Sequence, residues 1–135
     1  MSAPRWRVGL RIVSETISAA EITALAGVSP DTESERGTFR RGSSRARRFS
    51  SWEVDSGGPP DVDVSEHVSR LVERLAGDVD GLRRASEMAD ACELSIVGRF
   101  DPVTDDSPSV NLSVDHIEFL SGVRASVDVE VIAEP

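Results

Sequence analysis

The chain reads as an α+β sandwich, one sheet backed by helices, on three grounds. Segments near residues 5–13, 92–100 and 125–132 alternate apolar and polar residues with the period of a strand, and 47–54 does so less regularly. Between them lie stretches whose apolar residues recur every three or four positions, the spacing of an amphipathic helix. Finally, 135 residues with 39% hydrophobic content suit one domain, and a chain of that size can bury about two thirds of its unfolded surface.

Trp6, Val8, Leu10 and Ile12 alternate with Arg5, Arg7, Gly9 and Arg11, giving a first strand with one apolar and one basic face. Ser18 and Glu21 have capping-box spacing, and Ile17 and Ile22 flank the cap as a hydrophobic staple, so a short helix starts there and stops at Gly27. Glycines and serines over 28–45 predict a flexible basic loop or a hairpin-like excursion. The imperfect alternation between Arg47 and Val54 suggests a second strand carrying a bulge or a register shift, closed by Gly57-Gly58-Pro59-Pro60.

Val64, Val68, Leu71, Val72 and Leu75 make the clearest amphipathic stripe. A weaker one after Gly77, through Leu82, Ala85 and Met88, predicts a helical pair or one bent helix. Cys92, Leu94 and Ile96 mark a third strand. Ser113 caps a last helix carrying Ile117, Leu120 and Val123, with Leu112 and Ile117 at staple spacing, and Val127, Val129 and Val131 form a final strand. In sum the pattern is a ferredoxin-like sandwich of two β-α-β units with a helical insertion between them.

Fifteen arginines, no lysine and twenty-four acids give a net charge of -9. That balance disfavours long-range attraction to nucleic acid or to an anionic membrane. The positive charge is concentrated. Residues 1–50 carry nine arginines against five acids, and no carboxylate lies between Gly37 and Arg48. The amino-terminal residues lack the apolar run of a signal peptide, and no stretch approaches eighteen apolar residues, so a cytoplasmic, non-membrane protein is expected. One cysteine, Cys92, excludes an intramolecular disulfide.

The ordered set Arg7-Val8-Gly9-Leu10-Arg11-Ile12, Ala20 through Asp31, Gly37, Trp52-Glu53-Val54-Asp55-Ser56, Glu66-His67 and Gly122 through Val131 resembles the bacterial DUF4279 domain family. The resemblance implies a single domain over residues 1–135. It implies no chemistry, because the family is one of unknown function without a catalytic set to carry over.

Arg36, Arg40, Arg41, Arg45, Arg47 and Arg48 form the principal candidate site, since guanidinium groups grip carboxylates and phosphates bidentately. Trp52 stands beside them as a stacking residue or a core anchor. Glu21, His67 and His116 make a weaker polar alternative, and a mixed metal site joining the histidines to Asp105 or Asp106 lacks ligand spacing. Cys92 reads as a small buried hydrophobe. Neither a phosphate-binding loop nor a nucleophile elbow occurs. The expected function is a non-enzymatic interaction domain that binds an acidic protein surface, with a regulatory or immunity role and no cofactor. The alternative is a small-molecule enzyme that holds an anionic substrate with Arg47 or Arg48 in a cleft between the central helices and the sheet. A free terminal strand leaves a homodimer geometrically open.

Overall fold

The structure, a computed structural model, describes residues 3–135. Five strands, β1 (Arg5–Ser14), β2 (Thr32–Ser34), β3 (Ser50–Asp55), β4 (Ala91–Phe100) and β5 (Ser126–Ala133), form one sheet in the order β2-β3-β1-β4-β5. Neighbours are antiparallel except β4 and β5, which run parallel. The helices are α1 (Ala19–Ala26), α2 (Val64–Leu75), α3 (Val79–Met88) and α4 (Val114–Gly122), with a 3₁₀ turn joining α2 to α3.

Alternation decides the faces. Trp6, Val8, Leu10 and Ile12 of β1, Trp52 and Val54 of β3, and Leu94 and Ile96 of β4 are buried together with Ile22, Leu71, Leu75, Leu82 and Leu120 from the helices. The opposite face is polar and uncovered by helices. Arg7 pairs there with Asp55 at 3.9 Å and Arg11 with Glu93 at 3.7 Å. Glu53 lies so close to Gly9 that a Cβ at that position would come within 2.5 Å of its carboxylate.

The strand order is more complex than two equal β-α-β units. Residues 28–45 are not one loop, since Thr32–Ser34 pairs antiparallel with β3 as an edge strand. β2 therefore runs parallel to β1 with β3 inserted between them. Only β4-α4-β5 joins adjacent parallel strands. The bulge expected before Val54 is unnecessary, because residues 47–49 precede the strand and β3 alternates regularly from Ser50. The capping box of Ser18 and Glu21 forms as expected, and the central region is a helical pair. In α4 the buried residues are His116, Phe119 and Leu120. Ile117 is exposed, so the Leu112–Ile117 staple does not close over the helix start. β5 is exposed on both faces, Val127, Val129 and Val131 included, because the helical layer stops short of it.

Candidate functional site

The arginines lie on a hairpin that leaves the sheet after β2 and returns at β3. Its backbone is held by Gly37 N–H donating to the Arg47 carbonyl at 2.8 Å, Arg47 N–H donating to the Thr38 carbonyl at 2.7 Å, and a bridge between Phe39 and Ala46. Ser43 N–H donates to the Arg40 carbonyl at 2.9 Å beside Gly42, whose φ of 78° suits the tip.

The base is clamped by Glu35. Its carboxylate accepts from Ala19 N–H at 2.6 Å and Ala20 N–H at 3.3 Å, at the start of α1, and from the Ser50 hydroxyl at 3.1 Å. An anion there satisfies orphan amides and meets the positive end of the helix dipole. Sequence reasoning passed over Glu35, since a carboxylate among other loop acids carries no spacing signal. The open first turn of α1 was its one available clue.

The six arginines divide into two groups. Arg36 donates to the Glu15 carbonyl, Arg48 pairs with the Glu15 carboxylate while lying 5.4 Å from the centroid of Phe49, and Arg47 donates to the Thr38 hydroxyl at 2.9 Å. Arg40, Arg41 and Arg45 are exposed, and their guanidinium groups meet no carboxylate or other acceptor among the described residues. Phe39 and Phe49 are exposed beside them, at 58% and 41%. Between the hairpin and the polar face of β1 and β3 lies a cleft of about 380 Å³ lined by Arg11, Arg40, Arg45, Arg47, Arg48 and neighbouring serines. The arginine-lined cleft is thus under the hairpin, and not between the central helices and the sheet.

Trp52 is not part of this surface. It is fully buried beneath α1 with its indole N–H donating to Thr23 Oγ1 at 3.1 Å, because its position in β3 falls on the core face. Glu21, His67 and His116 sit in separate local networks. Glu21 closes the α1 capping box, His116 donates or accepts at Nε2 with Ser69 Oγ at 2.9 Å while its Nδ1 accepts from Ser113 N–H, and His67 Nδ1 lies 2.6 Å from Ser56 Oγ. Among the described residues no three acidic, histidine or cysteine side chains group as metal ligands. Asp105 N–H donates to the Asp101 carbonyl, and its carboxylate accepts from Asp101 N–H, both within one turn. Cys92 is buried, and burial pushes its thiol up to about 11, which leaves it a poor nucleophile.

No curated protein and no solved structure shows a significant match to the chain. A family model described as a domain of unknown function, DUF4279, matches residues 4–134. Since that match takes in all five strands, the four helices and the arginine hairpin, the chain belongs to the DUF4279 family.

Proposed function

We propose that the protein is a cytoplasmic interaction domain whose arginine hairpin engages an acidic protein surface by binding alone, without catalysis at the hairpin, in a regulatory or immunity role. The observation that carries this reading is the pairing of three uncommitted guanidinium groups, Arg40, Arg41 and Arg45, with two exposed phenylalanines on a hairpin whose base is anchored. Arginine and aromatic side chains dominate the energetics of protein interfaces, and an anchored hairpin loses less conformational freedom on docking than a free loop. The strand order β2-β3-β1-β4 also favours a ferredoxin-like sandwich as the body, extended by α4 and β5.

The test is affinity capture from native cytoplasm, followed by titration of the recovered partner at several salt concentrations. The guanidinium groups of Arg40, Arg41 and Arg45 make no hydrogen bond or ion pair among the described residues, so replacing all three by Gln should leave thermal unfolding unchanged. The expected result is binding weakened at least ~10-fold, the equivalent of about 1.4 kcal/mol, with a flatter salt dependence. Unchanged affinity and salt slope would overturn the reading.

A second reading rests on the cleft under the hairpin, where five arginines converge on about 380 Å³. That geometry suits a small polyanion and supports the alternative of a small-molecule enzyme. Calorimetric titration with citrate and pyrophosphate separates the two readings, because saturable binding lost on replacing Arg11, which the partner-binding surface does not use, supports the cleft.

A further inference from the structure

At the end of β3 opposite the arginine hairpin, a second cleft of about 360 Å³ is lined by Trp6, Arg7, Asp55, Ser56, Gly57 and His67, among others. Asp55 Oδ1 and His67 Nε2 are, among the described residues, the two buried side-chain polar atoms without a hydrogen-bond partner, and both belong to residues of this cleft. Asp55 Oδ1 lies on the polar face 3.9 Å from Arg7 Nε, whereas His67 Nε2 stays unmatched. Buried polar atoms are nearly always satisfied, so an orphan on a residue of the cleft points to a polar occupant.

Ser56 is also arranged in an unusual way. Gly58 N–H donates to its Oγ at 3.1 Å, and the same Oγ lies 2.6 Å from His67 Nδ1, to which the hydroxyl donates when the ring carries its proton on Nε2. The imidazole is almost wholly buried. Gly58 packs on its Nδ1 edge so closely that a Cβ would fall 2.8 Å from that atom. Gly57 N–H, next in the chain, donates to no acceptor among the described residues.

We propose that Ser56 is a nucleophile served by His67 as its base, in a cleft that takes an acyl ester, with Gly57 N–H and the Arg7 guanidinium as the donors available to the ester's carbonyl oxygen. In the first step Oγ bonds to the carbonyl carbon while its proton passes to Nδ1. The carbon–oxygen bond to the alcohol then breaks, and the alcohol leaves with that proton. Water attacks the acyl-serine, gives its proton to Nδ1, and the acid departs as Oγ recovers it. A base must be neutral to act, and burial favours the neutral ring by lowering its pKa. Arg70 acts in the same direction, whereas Asp63, Glu66 and the Pro59 backbone favour the imidazolium that forms in the reaction. Asp55 and Arg7 face the cleft from the sheet.

The experiment treats the full chain with a fluorophosphonate, whose P–F bond is replaced by a P–Oγ bond with loss of fluoride. A single adduct mapped to Ser56 by peptide mass is expected, forming faster as pH rises until His67 is neutral, and absent in Ser56→Ala. His67→Gln should slow it at least ~100-fold. Should that variant not fold, Ser56→Cys supplies an independent measure with iodoacetamide. Alkylation persisting well below the ordinary thiol value of about 8.5 supports activation by His67. No adduct at Ser56 under excess probe, or alkylation of Ser56→Cys that follows an ordinary thiol titration, would overturn the proposal.

Discussion

His67 and Glu53 are both shifted by burial, and their effects on stability run in opposite directions along the pH axis. Burial lowers the His67 pKa below its ordinary 6.5, so the stability that the neutral ring contributes is present above 6.5 and lost as pH falls toward the folded value. Glu53 is raised above 4.5 by burial first and by Asp55 second, against Arg7 and Arg11. The folded state therefore holds that proton more tightly, and the stability it contributes is present below 4.5 and lost as pH rises through the raised value. His67→Gln should flatten the loss of stability below pH 6.5, while Glu53→Gln should raise the denaturation midpoint at pH 7 and change it little at pH 4. Urea unfolding at pH 4, 5.5 and 7 measures both, and a Glu53→Gln protein less stable than the parent at pH 7 would contradict the assignment.

Among the elements, the contact between α1 and α3 depends on Gly81. Replacing a glycine inside a helix by alanine ordinarily gains up to ~1 kcal/mol. Here a Cβ would stand 2.5 Å from the Ala26 carbonyl oxygen and 2.8 Å from that of Leu25, backbone atoms that cannot swing aside. Gly81→Ala should therefore cost about 1–3 kcal/mol by overpacking. Gly77→Ala meets nothing within 4 Å and should be neutral or slightly stabilising. Chemical denaturation of the two variants reads the difference in sign.

Elements with a strong local signal were legible before any coordinates: β1 from its alternation, α1 from Ser18 and Glu21, and α2 from its valine and leucine stripe. β2 was not, because three exposed residues, Thr32, Glu33 and Ser34, bury nothing and owe their conformation to pairing with β3. The exposure of Ile117 was equally hidden, since helical spacing gives a stripe but not which edge of it meets the core. The arginine cluster was legible as charge. Its anchoring by Glu35, and the proximity of Ser56 to His67 across eleven residues, arise only when β3, α1 and α2 are brought together.

Over the whole molecule, one edge of the sheet carries the cationic hairpin and the other the strand bearing Asp128 and Glu130. Such separation orients the protein in the field of an approaching charged partner. The two ends of the strand order also differ in what they tolerate. Val129 lies on an exposed edge strand whereas Ile96, its register partner in β4, is fully buried. Val129→Lys should change stability by no more than about 0.5 kcal/mol, and Ile96→Ala should cost about 2–5 kcal/mol. Thermal unfolding of both compares them, and equal losses would mean that the helical layer extends over β5.

The central place of β1 governs how the chain finds this arrangement. The strand nearest the amino terminus has partners that lie far downstream, with Ile12 opposite Trp52 on one side and Cys92 on the other. Helices can condense early from neighbouring residues, but the middle of the sheet must wait for long loops to close, each at an entropic cost before any ladder forms. Folding should accordingly be slower than for a helical bundle of equal length, with zippering of the first strand between its distant neighbours as the step that sets the pace.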